Sequence, residues 1–554
     1  MKSNRRNFIQ TAVLSAAGLG LTTAGMSSCE SNRESDSDKN QRDDDQFVFI
    51  GKDYAIIDTK YGKVQGYIFK GVNTFLGIPY GADTSGKNRF IPPKPPQPWS
   101  EPFPAFWWGN SAAQDTGDRF NRKVNVFVDR WHYDAISENC LSINVWSNGL
   151  DTKKRPVLLW LHGGGFSNGN SIEQPGYHGE NLARKGDIVF CSINHRLNAF
   201  GFANFSTVDP KFEKSGNVGI IDCVAALEWI RDNIANFGGD PNNVTIMGQS
   251  GGGRKVCTLT AMPSAKGLFQ KAVVLSGATN RVSDKAISEK LGERIFTESK
   301  VKNMQELQAL PWQEYYKIAE KAMKEFSVEL KEKGFEGRTG WEPVVDGDVI
   351  PVQPYDPDAS PLAENIPMIA CSTFQEYSPS KNDGVLEQIT LDGVKEKLRN
   401  EYQDKVDDVV DAYAKIFTDM KPIDIWSLII SNRQRNLDLA NVKYKQDAGL
   451  FVAWFGWQPP LLDNRLKAFH CLDISFWLYN TDRMFSHTGG GARPRNLADK
   501  MSGALVQFMK TGDPNGGGLP HWPRYTETHG ETTMLTDNSE AKNNPDGEAR
   551  KHLT

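Results

Sequence analysis

The chain has 554 residues, of which 39% are hydrophobic and 24% are charged, a composition typical of a globular protein with a sizeable core. Its 64 basic and 68 acidic residues nearly balance, and the net charge of −4 without a marked basic patch argues against a nucleic-acid partner. The seven cysteines show no C-x-x-C spacing, so the sequence predicts no metal site, and we expect no cofactor.

Residues 1–29 are predicted to be an export signal. The run Arg5-Arg6-Asn7-Phe8-Ile9 precedes a weakly apolar stretch over residues 11–26 and resembles a twin-arginine signal. This stretch is short for a membrane span, which needs about 20 apolar residues. The segment Met26-Ser27-Ser28-Cys29 resembles a bacterial lipobox, so Cys29 is a candidate lipidation site; the alternative is a signal that is simply cleaved. Both interpretations predict an exported protein, either periplasmic or anchored as a lipoprotein in a bacterial cell envelope.

Residues 30–46 are almost wholly polar and are predicted to be a linker that holds a folded domain away from a surface. The next alternating pattern begins at Phe47. We therefore expect one folded domain over residues 47–554.

Short apolar runs bounded by turn residues alternate with helix-like patterns through this domain. The predicted strands are Val157–Leu161, Ile188–Ile193, Val244–Met247, Val273–Leu275 and Met368–Ser372, and a helix is predicted over Val224–Ile234. Strands that alternate with helices imply a largely parallel sheet flanked by helices, which is an α/β fold. Residues 281–335 and 380–445 look helical and carry many charges, and we interpret them as cap insertions.

Ser250 stands between Gly248 and Gly252, directly after a predicted strand and before a helix. Such a turn is so tight that the residues two positions on either side must be small, and it exposes the serine hydroxyl. The pattern G-x-S-x-G is short enough to occur by chance, so its surroundings decide whether Ser250 is a nucleophile.

The run from Phe237 to Gly252 matches the serine signature of the type-B carboxylesterase/lipase family, which includes the cholinesterases and para-nitrobenzyl esterases. Smaller landmarks follow in the order of that family: Phe75–Tyr80, Arg89-Phe90, Glu138–Leu141, Asn194–Leu197, Pro343–Gly347, Thr511–Asn515 and Trp522-Pro523. The chain thus resembles a bacterial member of the family. The resemblance implies the α/β-hydrolase fold, with a large, mostly parallel central sheet, flanking helices and helical cap insertions, and it implies a serine carboxylesterase.

The run His162-Gly163-Gly164-Gly165-Phe166 follows a predicted strand and looks like the glycine loop of this family. The resemblance implies that the amides of Gly164, Gly165 and Gly251 form the oxyanion hole. Glycine suits this function because the backbone must approach the substrate without a Cβ in the way. We expect His162 to order the loop.

A serine hydroxyl needs a base to accept its proton, and the chain offers nine histidines. His470 matches the catalytic histidine of the family, and Glu376 matches its catalytic acid. The order Ser250, Glu376, His470 agrees with that of the fold. The chain departs from the family around Glu376, with Tyr377 where glycine is usual, so Asp473 and then Asp346 remain competitors for the acid.

Two further departures concern the surroundings of the site. Many relatives have glutamate before the nucleophile, whereas this chain has Gln249, which weakens the case for cationic choline esters. Cys140 usually pairs with an earlier cysteine in the family, and here Ala112 stands where its partner would be. The aromatic residues of this loop could either line a substrate pocket or pack the loop onto the domain: Trp99, Phe103, Phe106, Trp107, Trp108 and Trp131.

The sequence therefore predicts a serine hydrolase that acts through an acyl-enzyme on small to medium uncharged carboxylic esters. Its partners are expected to be small-molecule esters and, if Cys29 is lipidated, a membrane surface. A lipase for longer acyl chains is the first alternative. A non-catalytic, cholinesterase-like binding protein is the second.

Overall fold

The computed structural model describes residues 46–116, 135–335, 337 and 339–553. The predicted export signal with Cys29, the linker up to residue 45, and Trp131 lie outside the described residues. Residues from Phe47 onward cluster into one compact unit.

A central sheet of 12 strands organises the described chain. The strands, in chain order, are β1 Val48–Phe49, β2 Ile56–Thr59, β3 Gly62–Gln65, β4 Tyr67–Phe69, β5 Val72–Pro79, β6 Phe103–Pro104, β7 Ser111–Ala112, β8 Ile136–Ser137, β9 Ser142–Ser147, β10 Arg155–Leu161, β11 Val189–Ile193, β12 Gly239–Gln249, β13 Lys271–Leu275, β14 Ser283–Asp284, β15 Val344–Val345, β16 Met368–Thr373, β17 Leu450–Phe455, β18 Glu531–Leu535 and β19 Glu540–Asn543. The central sheet has the order β1-β4-β5-β9-β11-β10-β12-β13-β16-β17-β18-β19. It is parallel from β11 to β18 and antiparallel at both edges. The predicted α/β fold with a mostly parallel sheet is confirmed.

Both faces of the central strands are buried, which explains why these strands read as continuous apolar runs in the sequence. Successive side chains of a strand point to opposite faces. In β10, Val157, Leu159 and Leu161 pack into one hydrophobic core, whereas Leu158 and Trp160 pack into a second. The sheet therefore separates two cores, each covered by helices.

The helices, in chain order, are α1 Glu180–Gly186, α2 Asn198–Phe202, α3 Val218–Asn233, α4 Gly251–Leu259, α5 Lys285–Ser299, α6 Met304–Ala309, α7 Trp312–Glu332, α8 Leu391–Tyr402, α9 Val406–Ile416, α10 Pro422–Ile430, α11 Gln434–Lys443, α12 Ile474–Trp477, α13 Phe485–Thr488, α14 Ala492–Thr511 and α15 Gly547–Arg550. The two segments interpreted as cap insertions are mainly helical, as predicted. Helix α3 begins earlier than expected because its first turns are buried and lack a polar stripe. Among the described helices, none has the length and apolar character needed to cross a membrane.

The described part of the loop before β9 is held by packing rather than by a disulfide. Cys140 is a free thiol buried in the same core as Ala112, which stands at its partner's expected position. Trp99 and Phe103 pack against this core, and Trp108 packs against the other. Trp107 is instead 68% exposed. Trp99 and Phe103 thus agree with the packing interpretation, whereas Trp107 and Trp108 also line a cavity of about 250 Å³.

Candidate active site

Ser250 occupies the turn between β12 and α4. Its backbone has φ 57° and ψ −121°, a strained conformation typical of a nucleophile turn. The flanking glycines are sterically required. A Cβ on Gly248 would come within 2.3 Å of the Gly252 carbonyl carbon, and one on Gly252 within 2.0 Å of the Leu161 oxygen. The Ser250 amide donates to the Leu275 carbonyl of β13 at 2.8 Å, so the turn is held against the neighbouring strand.

The glycine loop that follows β10 lies directly against this turn. Gly164 and Gly165 have φ angles of 81° and 65°, which favour glycine. A Cβ on Gly251 would meet the Gly165 oxygen at 2.1 Å and the Gly165 nitrogen at 2.5 Å. Among the described residues, the amides of Gly164, Gly165 and Gly251 have no hydrogen-bond acceptor. The structure thus brings the three predicted donors together beside Ser250, with their N–H groups available for an oxyanion.

His470 and Glu376 form a hydrogen-bonded pair at the same edge of the sheet. The imidazole Nδ1 donates to Glu376 Oε2 at 2.5 Å, and Glu376 Oε1 accepts from the Thr373 amide at 2.9 Å. Burial alone would raise the pKa of Glu376, but pairing with His470 outweighs burial and lowers it. Burial alone would lower the pKa of His470, but the Cys471 thiol and Glu376 outweigh it and raise the pKa above its usual value. An ionised carboxylate in this position is able to orient the imidazole and to stabilise its charged form.

Neither competing acid is hydrogen-bonded to His470 in the described part of the chain. Asp346 accepts hydrogen bonds from the Asn217 side chain at 2.9 Å and from the Ile350 amide at 3.1 Å, so it orders a turn. Asp473 is fully buried, and this burial, helped by the nearby Glu376, raises its pKa to about 7. Because a partly protonated carboxyl group supports an imidazolium poorly, geometry and charge both favour Glu376 as the acid.

Gln249 is fully buried beside the imidazole. Its Nε2 is 3.1 Å from His470 Nε2 and 3.3 Å from His470 Nδ1, and its Oε1 accepts from the Cys471 thiol at 3.2 Å. Tyr377 places an exposed ring nearly parallel to the imidazole, with 6.4 Å between ring centroids. No hydrogen bond joins the Ser250 hydroxyl to His470 among the described contacts. Such bonds often tighten only when substrate binds.

Sequence reasoning did not single out Lys255, although it lies in α4 beneath the glycine loop. Its side chain is fully buried, and Nζ donates to the carbonyl oxygens of His162 and Gly165 at 2.9 and 3.1 Å. The only sequence signal was a lysine in a helix of mostly small and apolar residues. His162 itself stacks on His195 with 5.1 Å between centroids, in keeping with the structural role expected of it.

The fold and the candidate site together define a class of enzyme. Three features are those of a serine hydrolase with the α/β-hydrolase fold: a serine on a strained turn after a central parallel strand, a paired histidine and glutamate, and a glycine loop with available amides. Within the described residues, no group of three or more histidine, cysteine, aspartate or glutamate side chains is arranged to hold a metal ion.

Comparison with known proteins gives the family. Residues 53–552 match the carboxylesterase family, and the chain belongs to it. The para-nitrobenzyl esterase of Bacillus subtilis is 31% identical over 513 residues, which cover 90% of this chain and 98% of that one. Carboxylesterase 1E of Rattus norvegicus is 29% identical over 86% of this chain and 89% of that protein.

Solved structures agree with this assignment. An esterase from Clostridium hathewayi that can hydrolyse aliphatic aromatic polyesters superposes with a TM-score of 0.79 at 31% identity, covering 92% of this chain and 99% of that chain. The carboxylesterase EST55 of Geobacillus stearothermophilus has a TM-score of 0.73 at 29% identity, covering 90% and 100%. The predicted family and fold are confirmed, and the protein is a serine carboxylic-ester hydrolase.

Proposed function

We propose that Ser250, His470 and Glu376 form the catalytic triad and act through an acyl-enzyme on small to medium uncharged esters. The observation that carries this proposal is the short hydrogen bond between His470 and Glu376 at the sheet edge where Ser250 meets the glycine loop. His470 accepts the proton of Ser250 as the hydroxyl attacks the ester carbonyl, and it then protonates the leaving alcohol. The amides of Gly164, Gly165 and Gly251 stabilise the oxyanion. Water hydrolyses the acyl-enzyme by the same steps.

The expected charge of the substrate's alcohol group is inferred from Gln249. A fully buried carboxamide beside the base offers no negative charge to a cationic alcohol group. Burying a cation without a counter-ion is costly in a site of low dielectric. Neutral alcohols are therefore the expected leaving groups.

A cavity of about 400 Å³ adjoins the segment that follows β13, and its lining residues include neither Ser250 nor His470 nor the glycine loop. Its wall includes Ala278, which follows Gly277, and a Cβ on Gly277 would lie 2.2 Å from the Ser250 carbonyl oxygen. Charged side chains of both signs also line the cavity: Arg281, Asp284, Glu342, Arg435 and Asp438. We infer that the acyl group extends into this cavity. Because a long alkyl chain gains little from charged walls, such a site favours short and medium acyl groups over the chains that a lipase takes.

A panel of p-nitrophenyl esters from acetate to palmitate tests the proposed function. We expect kcat/KM to be highest for short and medium acyl chains and to fall toward palmitate. A maximum at palmitate would instead assign a lipase. A folded protein with no activity on any ester would assign a non-catalytic binding protein.

The same panel includes a choline ester and its neutral isostere, a 3,3-dimethylbutyl ester, with Gln249→Glu as the matched variant. We expect wild type to prefer the neutral ester. The variant should move the ratio toward the cationic ester by about tenfold or more, because an added opposite charge contributes on the order of 1–4 kcal/mol in such a site. An unchanged ratio would show that Gln249 does not set charge preference.

We also propose that the protein is exported and anchored to the cell envelope through a lipid on Cys29. The support is the sequence Met26–Cys29 and the polar stretch that follows it. Labelled palmitate should be incorporated into wild type, which should sediment with membranes, whereas Cys29→Ser should be unlabelled. Unlabelled wild-type protein in the periplasmic fraction would favour a cleaved signal without lipidation.

A further inference from the structure

Lys255 is a charged side chain that the catalytic scheme does not use, and it lies directly beneath the glycine loop. It belongs to α4, the helix that starts immediately after Ser250, and it is fully buried. Nζ donates to the carbonyl oxygen of His162 at 2.9 Å and to that of Gly165 at 3.1 Å. One ammonium group therefore ties together both ends of the segment that contains Gly164.

The charged and titratable groups around Lys255 leave its ammonium without an ion pair in the described structure. Burial has the largest effect and disfavours the charged form; Cys223 and Glu173 on neighbouring elements favour it, and Arg254 on the same helix opposes it. Arg254 is itself paired with Glu342, and Glu173 accepts from the Tyr177 hydroxyl. Burial and, after it, the charge of Lys255 lower the pKa of His195. The ammonium is held by two backbone carbonyls, with the Phe166 ring centroid 5.5 Å away.

A buried ammonium without a carboxylate partner costs free energy that a hydrocarbon side chain of similar length would not. The two hydrogen bonds of Lys255 and its positive charge are directed at the glycine loop, whose amides we propose to face the oxyanion. A positive charge close to a developing negative charge is worth more in a water-excluded site than in solvent.

We propose that Lys255 is a positioning residue of the oxyanion hole: it fixes the Gly164–Gly165 backbone and adds positive potential beneath it. This inference rests on the proposed oxyanion role of Gly164, Gly165 and Gly251. Lys255 does not touch the substrate, so its removal should slow turnover more than it weakens substrate binding.

The charge gives the proposal a pH signature. Burial lowers the pKa of Lys255 to about 8, so the ammonium is present below that pH and is lost above it. A neutral amine can still donate to carbonyls, but it no longer adds positive potential. Turnover should therefore fall on the alkaline side with an apparent pKa near 8 that belongs to Lys255.

The test compares Lys255→Met with wild type over the pH range around neutrality, using p-nitrophenyl butyrate. We expect kcat to fall about 10- to 100-fold with little change in KM, somewhat less than the loss seen when an oxyanion donor is removed outright. The alkaline limb near pH 8 should disappear. Lys255→Gln keeps a hydrogen-bond donor without a titrating charge, so it should also lack the limb while losing less turnover.

Lys443→Met is the matched control. Lys443 is equally buried, burial also lowers its pKa to about 8, and its Nζ donates to the Ala363 carbonyl at 2.7 Å, but it lies in α11 away from the glycine loop. This control should lose stability without losing kcat or the alkaline limb.

Wild-type kcat and an intact alkaline limb in folded Lys255→Met would overturn the proposal. If that variant does not fold, Lys255→Gln decides in the same way. Labelling of the wild-type protein by diethyl p-nitrophenyl phosphate distinguishes a failure of the proposed function from a failure of the proposed role of Lys255. An unlabelled, inactive wild type would refute the proposed function, whereas a labelled, active wild type with unaffected lysine variants would refute only the role of Lys255.

Discussion

Replacing Ser250 with alanine is expected to lower kcat for p-nitrophenyl butyrate by about 10⁶-fold, the loss seen when a serine hydrolase loses its nucleophile. The reason is chemical, because alanine has no hydroxyl to form the acyl-enzyme. The fold should be retained, since both residues carry a Cβ at the strained φ of 57° and the turn is held by the backbone bond to Leu275. Turnover and the thermal midpoint measured on the same preparation check both expectations.

Ser502→Ala is the control for this substitution. Ser502 is buried in α14, and its hydroxyl donates to the Ala498 carbonyl at 2.6 Å within the same helix. Its removal should change activity little. A Ser250→Ala protein that kept more than a few per cent of wild-type turnover would exclude Ser250 as the nucleophile.

Glu376→Gln is expected to lower kcat by about 10³- to 10⁴-fold, as the loss of the orienting carboxylate does in other triads. Glutamine has nearly the same shape, but it can present an N–H group to His470 Nδ1 and so favour the wrong tautomer. It also removes the charge that stabilises the imidazolium. Asp473→Asn is the matched isosteric variant at the competing acid, and it should change kcat less than tenfold.

The pH dependence of folding stability gives a second way to distinguish Asp473 from Glu376. Because the pKa of Asp473 is raised to about 7, the folded state keeps a proton that the unfolded state loses near pH 4. This group therefore loses its contribution to stability as pH rises from about 4 to 7, and Asp473→Asn should gain stability relative to wild type across that window. A loss of turnover in Asp473→Asn as large as in Glu376→Gln would contradict the assignment of the acid.

The local part of the site could be predicted from sequence because its constraints act between neighbours in the chain. The turn at Ser250 requires glycines two residues away on each side, and the oxyanion loop requires glycines where φ is positive. The parallel sheet could be predicted as well, because strands buried on both faces leave continuous apolar runs such as Val157–Leu161.

Only the tertiary structure distinguishes the candidate acids by their contacts. The sequence left Glu376, Asp473 and Asp346 as candidates. Glu376 follows β16 and His470 follows its neighbour β17, and of the three carboxylates only that of Glu376 is hydrogen-bonded to the imidazole among the described residues. Asp346 is instead engaged in a turn, and Asp473 is buried at the start of α12.

The surroundings of Lys255 likewise could not be predicted from the local sequence. A lysine in a short helix is usually expected to reach solvent, and helical periodicity does not reveal which face another segment will cover. The glycine loop from the neighbouring strand closes over α4, so the ammonium finds its partners in the backbone carbonyls of His162 and Gly165. The sequence by itself predicted the fold, which is confirmed, together with a candidate nucleophile and a candidate oxyanion loop, because these depend on local backbone geometry and burial pattern. The tertiary structure decided which distant charges surround them, because that depends on packing between segments far apart in the chain.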